Sequence, residues 1–274
     1  MSQPSRLTRL AARTVWATRL IDRLYGKFDS LRSRLILRHG TDAFYSAFND
    51  ATYGGQRAYQ PGSPAFRTEL FPWERRVIDA HFPKPPATVL IGGVGGGREA
   101  LALEARGYRL VAFEPVERLA RALERSLNGK ADSIEVLMGR YQDLPVLRSV
   151  NDFRNQVDLR RRQPFDAAMF GWASFSHIRS DAERVDALRQ ISALTAGPIF
   201  LSYFSYMEER TASSSRRESF AMQVGFFRQF NEAELRNLVG EAGLDVAEIN
   251  HDGWPCAVVR RRTANSTIAT AAPR

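Results

Sequence analysis

The feature that most constrains the fold of this chain is a glycine-rich loop between a short apolar run and a helix-like segment. Val89 to Ile91 is apolar, and Arg98 to Arg106 is rich in Ala, Leu and Glu before it stops at Gly107. Between them lie Gly92, Gly93, Gly95, Gly96 and Gly97. This order predicts a strand, a glycine loop and a helix.

A second strand is predicted from Leu110 to Phe113, and it ends in Glu114, twenty-one residues after Gly93. In such a unit, backbone N–H groups and a helix N-terminus approach a ligand. A carboxylate at the tip of the next strand accepts hydrogen bonds from two ribose hydroxyls. The predicted ligand therefore contains a nucleoside.

The spacing of the glycines distinguishes between nucleoside ligands. A dinucleotide motif, G-x-G-x-x-G, starting at Gly93 needs glycine or alanine at the position of Arg98. A start at Gly95 would extend the preceding strand through Gly92 and Gly93, which are poor strand residues. The pattern Gly93, Gly95 and Gly97 fits without strain, and it favours a ligand other than a dinucleotide.

At this loop the chain resembles the class I S-adenosylmethionine-dependent methyltransferases, over residues 65–262. Gly93, Gly95 and Gly97 resemble motif I of that family, and Glu114 resembles the acidic end of its second strand. The resemblance implies an α/β fold with a doubly wound, Rossmann-like, mostly parallel sheet, and S-adenosyl-L-methionine as cofactor on these four residues. Many members carry an acidic residue where Ile91 stands, so part of the loop-orienting network is absent or supplied from elsewhere.

The loop after the predicted third strand, Ile134 to Met138, resembles the part of the family that contacts adenine. Arg140 stands where an aspartate is common. We therefore assign the expected adenine contact to Tyr141 or Gln142.

The loop after the predicted fourth strand, Ala167 to Phe170, is where we expect the chemistry. Ligands of doubly wound sheets lie outside the carboxyl ends of the strands, so this loop should face the transferable methyl group. His177 is the candidate general base, because imidazole titrates near neutral pH; a local hydrogen-bonding role is the alternative. Trp172 and Phe175 are candidates for shaping the acceptor pocket. The Asn/Asp-Pro-Pro-aromatic motif of enzymes that methylate exocyclic amines is absent.

The rest of the domain is predicted from its polarity and its turn residues. The polar segment 146–164, which includes Arg160 to Arg162, predicts a solvated helix and loop. A capped helix is expected from Asn231 to Ala242. Leu244 to Ile249 and Trp254 to Arg260 predict an antiparallel hairpin, which resembles the last two strands of the methyltransferase sheet.

Three regions are expected along the chain. Residues 1–64 form a basic helical arm and an aromatic segment that could act as a lid, residues 65–262 form the cofactor-binding domain, and residues 263–274 form a disordered tail. Thr211 to Glu218, rich in Ser and Arg, predicts a mobile loop.

The net charge of +9 is concentrated in the arm. Residues 1–40 contain eight arginines and Lys27 against Asp22 and Asp29, which leaves 30 basic and 28 acidic residues elsewhere. Apolar residues recur every three or four positions from Ala17 to Leu35, which predicts a basic amphipathic helix, broken near Gly26. Such a helix could bind RNA or an anionic membrane or serve as a targeting peptide. We favour packing on the domain or on a second subunit in a homodimer.

Composition is that of a globular enzyme. With 44% hydrophobic residues the chain can bury a core, and Cys256 is its only cysteine, so neither a disulfide nor a metal site is expected. No apolar run is long enough to span a membrane, and a cytoplasmic location is expected. We expect a methyltransferase that acts on a small molecule by in-line transfer. The alternatives are a non-catalytic binding protein and an RNA-modifying enzyme that uses the arm.

Overall fold

The computed structural model describes the backbone of residues 6–127, 132–206 and 218–262. It describes the side chains of Ile21, Arg23 and Leu24 and those from residue 26 onward within these ranges. The predicted tail 263–274 and most of the predicted mobile loop, residues 211–217, lie outside the described residues.

The helices are α1 (Arg6–His39), α2 (Asp42–Tyr53), α3 (Pro72–His81), α4 (Arg98–Glu104), α5 (Glu117–Ser126), α6 (Ser174–His177), α7 (Asp181–Leu194) and α8 (Glu232–Glu241). The strands are β1 (Thr88–Gly92), β2 (Arg109–Glu114), β3 (Ile134–Met138), β4 (Val146–Ser149), β5 (Gln156–Asp158), β6 (Ala167–Phe170), β7 (Ile199–Ser202), β8 (Phe204–Ser205), β9 (Glu218–Ala221), β10 (Gly225–Phe230), β11 (Leu244–Asn250) and β12 (Cys256–Arg261).

Within the described residues, nine strands form one sheet in the order β11-β12-β7-β6-β1-β2-β3-β4-β5. Strand β1 lies between β2 and β6 and runs parallel to both. The chain turns to one side of β1 to form β2 and β3, and to the other side to form β6 and β7. The carboxyl ends of β1 and β6 therefore flank the point where strand order reverses, which is where ligands of doubly wound sheets bind.

Alternating side chains of the central strands fill two cores, one on each face of the sheet. Val89 and Ile91 of β1 face helices α3, α4 and α5, whereas Leu90 faces the core that contains α7 and α8. All three residues are fully buried. An apolar strand covered on both faces is what a parallel sheet requires, and it explains why the run from Val89 to Ile91 contains no polar residue.

The end of the sheet confirms the predicted mostly parallel fold with a C-terminal antiparallel hairpin. Strand β12 pairs antiparallel with both β7 and β11. Helix α8 begins after Asn231, whose side chain accepts a hydrogen bond from the Glu234 backbone nitrogen, as predicted from its capping sequence. Helix α3 has Pro72 in its first turn, where a missing backbone N–H costs no helical hydrogen bond.

The prediction of a helix and loop for residues 146–164 is wrong. Strands β4 and β5 form an antiparallel hairpin that extends the sheet beyond β3. Leu147 and Leu159 are buried under it, while Arg162 pairs with Glu135 of β3 at 2.8 Å. A hairpin at the edge of a sheet with one solvated face has few apolar residues. The polar composition of this segment therefore did not predict its two strands.

A small second sheet, with strand order β8-β10-β9, was not predicted. Phe220 and Phe226 of this sheet pack with Tyr45 of α2 in a third apolar cluster. The side chain of Ser33 in α1 accepts a hydrogen bond from the Phe220 backbone nitrogen at 3.0 Å. This sheet thus attaches the N-terminal helices to the domain.

Helix α1 differs from its prediction in two ways. It continues through Gly26 without a break. Among its described side chains, those that pack on the domain lie in its C-terminal part, where Ile36 and Leu37 contact the cluster around Tyr45. The expectation that the domain covers the apolar stripe is wrong, because Ile21, Leu24, Phe28, Leu31 and Leu35 are between 51% and 65% exposed. The other expectation, packing on a second subunit, is not tested by a single chain.

Candidate functional site

The candidate site is a cavity of about 400 Å³ at the carboxyl ends of β1, β2 and β6. Its volume is that of a typical ligand pocket. One half is lined by the glycine loop, the end of β2 and the loop after β3; the other half is lined by the loop after β6 and by residues of α2, β8 and β10. The residues that line the cavity include Tyr53, Tyr59, Gly93, Gly95, Glu114, Tyr141, Gln142, Trp172, Ser174, His177, Phe204, Phe226 and Trp254.

The glycine loop begins where it was predicted to begin, after β1 ends at Gly92. Gly93 and Gly95 have φ angles of 63° and 57°, a region that side chains disfavour. A Cβ atom on Gly93 would lie 2.7 Å from the Ser174 Cβ atom, and one on Gly95 would lie 3.4 Å from the ring of Tyr59. Glycine is thus needed at Gly93 for both conformation and space, and at Gly95 for its conformation.

Gly97 has a different role from the one expected. It precedes α4 with a φ of 91°, and a Cβ atom there would lie 2.3 Å from the side chain of Leu123 in α5. Gly97 does not line the cavity. It permits the close packing of two helices, and the third glycine of the motif therefore acts on the ligand loop only through the start of α4.

Glu114 is buried at the tip of β2 and its carboxylate faces the cavity loop. One oxygen accepts a hydrogen bond from the Gly95 backbone nitrogen at 2.7 Å, and the other accepts one from the Val116 nitrogen at 3.0 Å. Burial raises the pKa of Glu114 to about 7, and the two N–H donors offset only part of this effect. The carboxylate is therefore poised for further hydrogen-bond donors, such as hydroxyl groups.

The loop after β3 places its two predicted residues differently. Tyr141 is buried, stacks on Phe170 and forms a 2.7 Å hydrogen bond through its hydroxyl to the Ser174 hydroxyl. Gln142 is exposed at the cavity edge. Tyr141 thus joins the loop after β3 to the loop after β6, whereas Gln142 has a side chain free to turn toward a ligand.

His177 ends the short helix α6 and lies between both sheets. Its Nδ1 atom is 2.6 Å from the carbonyl oxygen of Phe226, so Nδ1 carries the proton and donates it. Its Nε2 atom is 3.3 Å from the hydroxyl oxygen of Tyr53, and that hydroxyl donates its single proton to the Val224 carbonyl at 2.8 Å. Burial lowers the pKa of His177. The imidazole is neutral at pH 7, with an unprotonated Nε2 in the cavity.

The half of the cavity around His177 is mainly aromatic. Trp172 is 38% exposed and packs edge-on against Trp254, with ring centroids 5.2 Å apart. Trp254 in turn contacts Phe204, and Tyr53 contacts Tyr59. Flat aromatic surfaces of this kind suit a planar or ring-shaped ligand and exclude water.

Phe175 is not a pocket residue, which corrects its prediction. It is fully buried and packs against Phe170 and Phe230 in the core. Residues 174–177 form a helical turn, and successive side chains of a helix point in different directions. Trp172, Ser174 and His177 line the cavity, while Phe175 faces the sheet.

A buried ion-pair cluster behind the glycine loop was not recognised in the sequence. Arg98 at the start of α4 binds both carboxylate oxygens of Glu74 at 2.6 and 2.7 Å and also contacts Glu99 at 2.8 Å. Glu99 accepts a hydrogen bond from the Trp172 backbone nitrogen at 3.1 Å. Glu99 thus supplies a carboxylate that joins the glycine loop to the loop after β6, whereas Ile91 has none. Glu99 was not predicted as a site residue, because a glutamate within a helix is common and its sequence position does not indicate a contact with the loop after β6.

The N-terminal segment contributes to the cavity wall. Tyr45, Asn49, Asp50 and Tyr53 of α2 line it, and so does Tyr59 beyond that helix. Gln60 fixes the turn between them by donating to the Gly54 carbonyl at 2.7 Å. Of the aromatic segment expected as a lid, Tyr45, Tyr53 and Tyr59 therefore line the cavity, whereas Phe44 and Phe48 pack against Phe220.

Two classes of site have no counterpart among the described residues. No three His, Cys, Asp or Glu side chains of the described part of the chain are grouped as a metal ion would require. None of the described helices combines the length and apolarity needed to cross a bilayer.

Comparison with known proteins finds similarity in structure only. No protein-family model matches the sequence, and no curated protein matches it.

Three solved structures illustrate the similarity. CalS10, an amino pentose methyltransferase from Micromonospora echinaspora involved in calicheamicin biosynthesis, is 18% identical with a TM-score of 0.51, over 69% of this chain and 88% of that protein. The CcbJ methyltransferase from Streptomyces caelestis is 16% identical with a TM-score of 0.53, over 78% and 99%. A SAM-dependent methyltransferase from Methanosarcina mazei is 13% identical with a TM-score of 0.53, over 70% and 98%. What these proteins share with this chain is the fold.

Proposed function

We propose that this chain, which has the fold of the class I S-adenosylmethionine-dependent methyltransferases, transfers a methyl group from S-adenosylmethionine to a small-molecule acceptor. The observation that carries the proposal is the position of Glu114 and His177 on opposite halves of one cavity. A carboxylate suited to ribose hydroxyls and a neutral imidazole thus face a single enclosed space.

The residues present fit this cofactor. The Glu114 carboxylate would accept the ribose hydroxyls, and Gly93 and Gly95 leave the loop backbone without side chains beside it. Tyr141 and Gln142 are the candidates for contacts to the adenine ring. When bound, S-adenosylmethionine supplies an electrophilic methyl group on its sulfonium.

The chain's own contribution is to hold an acceptor in line and to remove its proton. The aromatic residues Trp172, Phe204 and Trp254 would position a ring-shaped acceptor and exclude water. The Nε2 atom of His177 would take the proton of an acceptor hydroxyl or amine, because the Phe226 carbonyl fixes the neutral tautomer with that atom unprotonated. The Tyr53 hydroxyl oxygen lies 3.3 Å from this Nε2 atom.

The half of the cavity around His177 favours a small-molecule acceptor over a nucleic acid. The cavity is enclosed by α2 and by both sheets, and the excess positive charge lies outside the domain, in residues 1–40. One of the similar proteins, CalS10, is named for methylating an amino pentose, a ring of comparable size to those the aromatic wall would admit.

The proposal is tested by transfer of a radiolabelled methyl group from S-adenosylmethionine to a panel of phenols, sugars and ring amines. We expect turnover with at least one class of acceptor, and loss of about 10²-fold or more in His177→Ala with cofactor affinity unchanged. His251→Ala, the same substitution at an exposed histidine that does not line the cavity, is the matched control and should turn over like the wild type. Equal turnover by His177→Ala and the wild type would exclude His177 as the base.

A further inference from the structure

The outward face of α1 is a continuous apolar stripe. Ile21, Leu24, Phe28, Leu31 and Leu35 are spaced alternately by three and four residues, and all are more than half exposed. A helix advances by about 100° per residue, so these five side chains lie in one line along its surface. Over this stretch the stripe is about 21 Å long at 1.5 Å per residue.

The domain covers the opposite face of the same helix. Ser33 bonds to Phe220, and Ile36 and Leu37 pack on the cluster around Tyr45. Helix α1 is therefore anchored on one side while its stripe points away from the domain. An exposed apolar surface of this extent marks a contact with something outside the described part of the chain.

Basic residues flank the stripe. Lys27 and Arg34 immediately precede Phe28 and Leu35 and form a row along one edge. Arg23 and Arg38 extend this row, and all four are exposed. Among the described residues, none of these four takes part in an ion pair, whereas Arg32 pairs with Asp29. The uncompensated charge next to the stripe is therefore positive.

This charge decides between two occupants of the stripe. The alternation of three and four residues would also suit a two-helix coiled coil with a second copy of the chain. In a parallel pair, however, Lys27 would face Arg32 of the other copy, whose charge Asp29 already compensates, and Arg34 would face His39, so neither cation would meet a carboxylate. In an antiparallel pair the two basic rows would face each other. A second copy therefore gains no ion pair in the parallel arrangement and is repelled in the antiparallel one, whereas an anionic surface is attracted.

We propose that α1 docks the protein on an anionic lipid surface, with Ile21, Leu24, Phe28, Leu31 and Leu35 inserted among the acyl chains. Lys27, Arg34, Arg23 and Arg38 lie at the level of the headgroups. A helix with an apolar stripe, flanking cations and low net hydrophobicity binds in the plane of the interface rather than across it. Each basic side chain near such a surface adds attraction to the anionic headgroups. This inference does not depend on the proposed catalytic activity.

The test is flotation of the full chain with vesicles. We expect it to float with phosphatidylcholine vesicles that contain about one quarter phosphatidylserine, and not with phosphatidylcholine alone, because the headgroup charge supplies much of the affinity. Binding should fall by at least tenfold when about 0.5 M salt shortens the Debye length to a few ångströms.

Paired variants separate the stripe from the charge. Phe28→Ser with Leu31→Ser, and Lys27→Glu with Arg34→Glu, should each lower vesicle binding by at least about tenfold. The control is Arg109→Glu with Arg125→Glu, the same charge change at exposed positions of β2 and α5, and it should float like the wild type. Circular dichroism and melting temperature establish that every variant is folded.

Three outcomes would overturn the proposal. A wild type that stays with the buffer in the presence of anionic vesicles would do so directly. A concentration-dependent dimer in analytical ultracentrifugation, lost in the Phe28→Ser with Leu31→Ser variant, would assign the stripe to a second copy if vesicles do not bind. Equal loss of flotation in the Arg109→Glu with Arg125→Glu control would show attraction by net charge alone.

Discussion

One carboxylate oxygen of Glu114 lies 2.7 Å from the backbone nitrogen of Gly95, so the tip of β2 and the glycine loop after β1 are joined by a charge-assisted hydrogen bond. The same carboxylate faces the cavity, so the group that holds the loop in place is also the one that would hold a ribose.

The shifted pKa of Glu114 predicts a pH-dependent stability. Its folded-state pKa of about 7 lies above the unfolded value of 4.5, so the folded protein binds this proton more tightly. Stability from this group is therefore present at pH 4 and is lost as pH rises to 7, by an amount on the order of 3 kcal/mol. Urea unfolding at pH 5 and pH 8 should show a larger loss for the wild type than for Glu114→Gln. The same loss in both proteins would contradict the shift.

The lowered pKa of His177 predicts how kcat/KM falls as the solution becomes acidic. Because burial favours neutral imidazole, His177 stays unprotonated below its usual value of 6.5. With S-adenosylmethionine saturating, kcat/KM for the acceptor should remain high at pH 6.5 and fall only at lower pH. The prediction is contradicted if kcat/KM already falls at a pH above 6.5 and this fall is absent in His177→Ala, because the pKa of His177 would then not be lowered by burial.

We predict that the glycine loop requires glycine at position 95, where the backbone has a positive φ angle. Gly95→Val would place a β-branched side chain at a φ of 57°, with its Cβ atom 3.4 Å from Tyr59, and should weaken S-adenosylmethionine binding by at least about tenfold. Gly62→Val is the control, because Gly62 also has a positive φ, of 84°, but nothing lies within 4 Å of its added Cβ atom. Calorimetric affinities that fall equally in both variants would indicate backbone strain rather than a role for the loop.

Glu99 predicts a positioning role for a residue outside the cavity. Glu99→Ala would remove the acceptor for the Trp172 N–H group and one partner of buried Arg98, and should cost about 1–3 kcal/mol of stability. In Glu99→Ala we expect KM for the acceptor to rise more than kcat falls, because the Trp172 N–H group loses its hydrogen-bond acceptor. In Glu99→Gln, which keeps a side-chain oxygen, KM should rise less. Glu117→Ala, at an exposed carboxylate of α5, is the control. An unchanged KM in a destabilised Glu99→Ala protein would leave only a structural role.

The fold and half of the site were accessible from local sequence patterns. The run from Val89 to Ile91, the glycines after it and Glu114 lie within one supersecondary unit, so their geometry follows from short-range rules. The loop after β6 was identified for the same reason, since the ends of parallel strands meet at one edge of a sheet. His177 and Trp172 were predicted there and line the cavity.

What could not be predicted depends on contacts between distant segments. His177 acquires its tautomer from Phe226, which lies 49 residues away in a sheet that the sequence did not reveal. Phe175 was misplaced because the helical turn of α6 decides which side chain faces the core. The stripe of α1 was expected to be covered, since an apolar helix face by itself does not specify what it contacts.

The central claim is most directly tested by isothermal titration of the protein with S-adenosylmethionine and, separately, with NADH. We predict saturable binding of S-adenosylmethionine with one site per chain and no binding of NADH. The affinity for S-adenosylmethionine should be at least about tenfold weaker in Glu114→Ala, because hydrogen bonds to a carboxylate are lost. Glu117→Ala should bind like the wild type. Binding of NADH in place of S-adenosylmethionine, or undiminished affinity in a folded Glu114→Ala protein, would contradict it.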